Sequence, residues 1–132
     1  FKLVNDARRR ITLKIEQPLP HLRVQVARAV VGQDIFIEVF KDTAIRLAPV
    51  TKAEAADMVA ELKAYPLLRG FRGREAADIA ALEEVICRVS TLLAATPEIA
   101  ELDLNPVIVH PAGKGVSLVD ARIFFAQRQL ED

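Results

Sequence analysis

The sequence predicts an α/β chain of the α+β type: a largely antiparallel sheet covered by two main helices. Three observations lead there. Strict period-two alternation recurs near both ends, as in ITLKIE at residues 11–16 and ELDLN at 101–105. Two stretches between them switch to helical period. The order is strands, then two helices, then a strand pair, and such an order packs into one sheet with helices laid on it.

The elements follow in turn. Residues 11–16 alternate as a strand, and Pro18 and Pro20 break the run. Residues 22–30 alternate again, with Leu22, Val24, Val26, Arg28 and Val30 on one face and Arg23, Gln25 and Ala27 on the other. Gly32 is a turn candidate, and residues 35–40 and 43–48 read as strands joined by a tight hairpin at Lys41 and Asp42. Thr51 and Glu54 then spell a capping box, in which the Thr hydroxyl takes an amide and the Glu reaches back. A helix is expected over 51–64, stopped by Pro66. A basic loop, LLRGFRGR at 67–74, leads to a second helix over 75–95. Its stripe of Ile79, Leu82, Ile86, Val89 and Leu93 steps by three and four residues. Two strands, 99–109 and 116–125, close the chain around a loop containing Pro111, Gly113 and Gly115.

Composition narrows the function classes. The 132 residues are enough for a single domain, and 52% hydrophobic with 27% charged is a globular balance. Eighteen Lys and Arg offset 18 Asp and Glu, which argues against nucleic acid as a main partner. No apolar run approaches the ~20 residues that span a bilayer, and no secretory leader pattern is visible, so no membrane role and a cytoplasmic location are expected. Cys87 is the one cysteine, set among Val85, Ile86 and Val89, and reads as a small core residue. The chain opens on Phe1 rather than Met, which suggests a fragment of a larger protein.

The strand pair near the C-terminus carries the chemistry. Alternation puts Glu101, Asp103 and Asn105 on one face and Leu102 and Leu104 on the other. If residues 110–115 form the loop, Val109 faces Val116, and counting back sets Asn105 opposite Asp120. Opposed residues have Cβ atoms about 4.5–5.5 Å apart. An amide oxygen and a carboxylate so disposed can share one hard cation such as Mg²⁺. Asp103, two residues along the same face, is near enough to hold a ligated water or another metal. Pro106 cannot donate to a ladder, so it implies an edge position or a bulge beside Asn105. The plain alternative is a solvated outer face bearing exposed acids.

Taken together, the blocks DIFIEVFKDTAIRLAPVTKAEAADMV, YPLLRGFRGR, ELDLNPVIV and VDARI resemble the ATP-grasp module of ADP-forming acyl-CoA synthetases. These enzymes are related to the β chain of succinyl-CoA synthetase. The resemblance covers about residues 32–123 and rests on the ordered succession of blocks. It implies the C-terminal lobe of an ATP-grasp fold, with Mg²⁺ and ATP or ADP as cofactors. The asparagine and aspartate that match the family's metal ligands are Asn105 and Asp120. Asp103 matches an acidic position near the nucleotide, where a partner domain's phosphohistidine visits, and is the candidate catalytic residue. Glu38, Arg69 and Arg72 are candidate nucleotide contacts; the arginines could instead pair with Glu75 or Asp78, and Glu38 could be a paired strand charge.

The implied activity is that of an acid–thiol ligase in the full-length protein, interconverting acyl-CoA, ADP and phosphate with free acid, CoA and ATP. The implied partners are CoA-binding and ligase domains in the same or another chain and an acyl-CoA substrate, with a homo-oligomer left open. This lobe alone is expected to be inactive. His21 and His110 do not match the family's phosphorylated histidine and read as surface or turn residues. The sequence departs from the family where Gly32, Gln33 and Asp34 replace a usual Gly-Gly, and over residues 1–31. That departure leaves two other readings open: a synthetase-like regulatory module of a protein lysine acetyltransferase, and a non-catalytic interaction module.

Overall fold

The computed structural model describes residues 1–5, 10–14, 42–71 and 73–127. The expected strands at 22–30 and 35–40, the Gly32 turn and His21 lie outside these residues, as do Glu38 and Arg72. Seven strands are described: β1 (Lys2–Asn5), β2 (Arg10–Lys14), β3 (Thr43–Leu47), β4 (Ile99–Leu104), β5 (Val107–Val109), β6 (Val116–Leu118) and β7 (Ala121–Phe125). Three helices lie between β3 and β4: α1 (Lys52–Glu61), α2 (Tyr65–Leu68) and α3 (Ile79–Ala95). The main sheet runs β3-β2-β1-β4-β7 with every pairing antiparallel, and β5 and β6 form a second, two-stranded sheet. The expected antiparallel sheet with two main helices is the fold observed.

Alternation decides which face of the sheet is covered. Leu3, Ile11, Leu13, Ala44, Leu102 and Leu104 are buried on the inner face, against Ala55, Met58 and Val59 of α1 and Leu82, Ile86 and Leu93 of α3. Each fully buried Leu or Ile contributes roughly 1.5–3 kcal/mol. The α3 stripe is the one the sequence predicted, with Ile79 and Cys87 half-buried at its margin. None of the described helices is long and apolar enough to cross a membrane.

Helix boundaries differ from expectation for local reasons. The capping box forms: the Glu54 amide donates to Thr51 Oγ1 at 3.1 Å and the Thr51 amide to Glu54 Oε1 at 3.5 Å. Yet α1 stops at Glu61, and Pro66 does not end it; Pro66 stands in the first turn of α2, where a missing N–H costs nothing. What ends α1 is Asp42. Its buried carboxylate accepts the Lys63 amide at 2.7 Å and the Ala64 amide at 2.8 Å, so the residue expected at a hairpin tip is an internal anchor. In the same way α3 begins at Ile79 rather than 75, because Asp78 caps it while Ala77 bridges to Pro111.

The last two predicted strands are each split in two. Leu104 pairs with Ala121 and Val107 with Leu118, so the register between the two segments survives the break at Asn105–Pro106 and Val119–Asp120. On the other flank the count changes. Leu3 pairs with Leu104, whereas Phe1 exchanges hydrogen bonds of 2.9 and 2.7 Å with Val107. Two steps along β1 thus meet three along its neighbour, which is the bulge predicted beside Asn105. The edge alternative falls, because β4 lies between β1 and β7. The bulge turns Asn105 and Pro106 outward in succession and returns Val107 to the core.

Candidate metal and nucleotide site

The site is built on this break. Asp103 is half-buried on the outer face of β4, directly across from Arg122 of β7 and beside Val4 of β1. Asn105 follows at the end of β4, and its amide donates to the Asp120 carbonyl at 3.2 Å. The expected opposition of Asn105 and Asp120 is therefore present in the backbone. Both side chains, with Asp103, Lys2 and Arg122, line one polar pocket.

Among the described residues its lining carries two cations and two carboxylates. Lys2 Nζ lies 3.8 Å from Asp103 Oδ2, and Arg122 Nε lies 3.9 Å from Asp120 Oδ2. Both distances exceed hydrogen-bond range, so these two contacts are ion pairs rather than hydrogen bonds. Asp103 Oδ1 is buried, with no hydrogen-bond partner among the described residues. An amide oxygen, a carboxylate and a spare buried carboxylate oxygen form the hard donor set that suits Mg²⁺. Among the described residues no three His, Cys, Asp or Glu side chains gather to hold a metal alone.

Not every predicted residue joins this pocket. Arg69 is exposed at the C-terminus of α2, its guanidinium 5.8 Å from the centroid of the Tyr65 ring. It does not line the pocket, and it spends its cation on an aromatic face. Asp78, a suggested arginine partner, is otherwise engaged: it accepts from the Ala81 amide at 3.1 Å and the Gly115 amide at 2.8 Å. These donors, Gly115 foremost, hold its carboxyl below the usual range. His110 is indeed a turn residue, its Nε2 2.7 Å from Ser117 Oγ and its carbonyl accepting the Asp78 amide. The two pocket cations were not singled out from sequence. Arg122 could have been, two residues beyond Asp120 on an alternating run; Lys2 required knowledge that β1 pairs with β4.

The sequence matches a family model described as the ATP-grasp domain over residues 29–125. The chain belongs to the ATP-grasp family. Among curated relatives it is 49% identical over 89 residues to the ADP-forming 4-hydroxybutyrate–CoA ligase of Nitrosopumilus maritimus, a match covering 67% of this chain and 13% of that protein. It is 47% identical over 90 residues to subunit beta of the ADP-forming acetate–CoA ligase II of Pyrococcus furiosus, covering 67% of this chain and 38% of that subunit. This ATP-grasp chain thus spans well under half the length of either relative. Among solved structures it superposes, at a TM-score of 0.68 and 34% identity, on the dinucleotide-forming acetyl-coenzyme A synthetase 1 of Ca. Korarchaeum cryptofilum. That match covers 95% of this chain and 51% of the other, in a complex with coenzyme A and Mg-AMPPCP whose phosphohistidine segment points towards the nucleotide binding site.

Proposed function

We propose that this ATP-grasp chain supplies the metal-and-phosphate half of the nucleotide site in an ADP-forming acyl-CoA synthetase. One observation carries the reading: Asn105 stands directly opposite Asp120, with Asp103 beside them on the outer face, in a chain of this family. In the full-length protein the reaction interconverts acyl-CoA, ADP and phosphate with free acid, CoA and ATP. The CoA-binding and ligase domains that handle the acyl group belong to the remainder of that protein or to a partner chain.

Each residue has a distinct task. Asn105 offers a neutral amide oxygen and Asp120 an anionic one, both hard donors from facing backbone. Together they would hold a Mg²⁺ ion, which would supply charge neutralisation for the phosphates when bound. Asp103 keeps its buried Oδ1 to accept from a water or from the N–H of an incoming imidazole, and so orients the group that exchanges the phosphoryl. Glu38, Arg69 and Arg72 keep their assignment as nucleotide or partner-domain contacts, Arg69 from outside the pocket that Asn105 and Asp120 line.

The test is calorimetric titration of the full-length protein with Mg-AMPPCP. Asn105→Ala and Asp120→Ala are each expected to weaken binding about tenfold to a hundredfold, in line with losing a charge-assisted contact. Wild-type affinity in both variants would sink the proposal.

A further inference from the structure

We propose that β7 is a dimerisation edge, at which a second copy of this chain pairs antiparallel about a twofold axis through Ile123. Among the described residues β7 ends the main sheet, with Ile123, Phe124 and Phe125 exposed by 42%, 54% and 62%. The direction of its open backbone groups follows from its pairing with β4. The Asn105 amide donates to the Asp120 carbonyl, and the Ala126 amide to the Glu98 carbonyl. Hydrogen-bonded pairs alternate with non-bonded ones along an antiparallel ladder, so Arg122 and Phe124 also bond to β4. Ala121, Ile123 and Phe125 therefore direct their amides and carbonyls away from β4, to the open side.

This edge is complementary to itself, which singles out a second copy as its occupant. Rotation about Ile123 sets Phe125 of one copy opposite Ala121 of the other, the bulkiest of the outward-bonding residues against the smallest, and Ile123 opposite itself. Each of these pairs exchanges hydrogen bonds, so the open groups of the strand are all used. On the outer face Arg122 stands opposite Phe124 of the second copy, a cross-strand pairing of guanidinium with aromatic ring. An axis through Arg122 would instead set two arginines face to face, which is unfavourable. An axis through Phe124 would leave Ala121 opposite no residue of the other β7. On the inner face Ile123 borders an apolar groove beside α3, lined also by Leu92, Leu102, Leu104 and Leu118. Pairing at Ile123 joins the two grooves, so a single contact closes the edge and shields apolar surface on both copies. Because Arg122 also lines the pocket of Asn105 and Asp120, the second copy brings an aromatic ring to the margin of that site.

Disulfide trapping in the full-length protein, with Cys87→Ser and any other cysteine replaced, tests the register. Facing residues of a hydrogen-bonded antiparallel pair have Cα atoms about 5.5 Å apart, within disulfide reach. Ile123→Cys is therefore expected to yield a covalent dimer under mild oxidation, at concentrations where the wild type sediments as a dimer. A mixture of Ala121→Cys and Phe125→Cys should cross-link too, whereas either alone should not, since its own copies lie too far apart along the strand. Ile123→Lys, which sets two ammonium groups across the axis, should weaken the dimer at least about tenfold in Kd by sedimentation. Should that variant fail to fold, the trapping alone decides. A wild type that stays monomeric, its edge taken by another part of the full-length protein, overturns the proposal. So does a dimer that Ile123→Cys fails to trap, or one that Phe125→Cys alone traps as readily.

Discussion

Asp42 shows how much one buried side chain can determine. Both its oxygens accept main-chain amides, those of Lys63 and Ala64, at the joint between α1 and α2. Asp42→Asn keeps the shape but turns an N–H₂ toward an amide donor; it is expected to cost about 1–3 kcal/mol, read as a lower midpoint in urea. Asp78 has a comparable role at α3, reaching across to the Gly115 amide in a turn where Gly115 takes φ +79. Its folded pKa lies below the ordinary value, chiefly through Gly115 and then Ala81. The stabilisation it gives is therefore complete above the ordinary carboxylate pKa and is lost as pH falls through the depressed folded value. Asp78→Ala should lower Tm at neutral pH, and the gap to wild type should narrow in strong acid. Neither acid's role was legible in the sequence. Their partners lie 21 and 37 residues away, and nothing in local spacing marks such a distant amide. Asn105 and Asp120 were legible because a short loop made their pairing a matter of counting.

Among the elements, α3 was read most fully in advance, since a stripe at helical period leaves one face to bury. Ile86 is fully buried in that stripe, so Ile86→Ala should cost about 2–5 kcal/mol in chemical denaturation. Arg88→Ala, two residues on, removes an exposed pair with Glu84 and should change stability by less than about 0.5 kcal/mol. The contrast checks that the face assignment is right. The ends of the helices were less legible than their middles. Thr51 announced its cap through Glu54, three residues away, whereas the end of α1 depended on Asp42 from before β3. The Val50 amide likewise finds the hydroxyl of Ser90, buried within the α3 stripe where an apolar residue would be the default.

For the molecule as a whole, the two faces of the main sheet divide the labour among the described residues. The inner face packs on α1 and α3 and supplies stability; the outer face carries Lys2, Asp103 and Arg122. Among the described residues β7 is an edge strand, with Ile123, Phe124 and Phe125 all exposed. Such an edge favours association. The isolated chain is expected to sediment as concentration-dependent oligomers, and the pair Phe124→Lys and Phe125→Lys should shift it toward monomer, with each change altering stability by only about 0.5 kcal/mol. That global division was foreseen from alternation alone, while the strand order was not, because nothing in residues 1–14 announces that they lie beside 99–104. The extra residue at Asn105–Pro106 has a further consequence for how this region tolerates change in length. Deleting Pro106 would remove the extra residue and leave Val107 facing inward, but it would slip β5 by one against its other neighbour, setting Val107 opposite Val119 instead of Leu118. A lone insertion beside Asp120 would likewise carry one donor past the other. Viable variants should therefore gain or lose residues on both sides of the ladder together, or not at all.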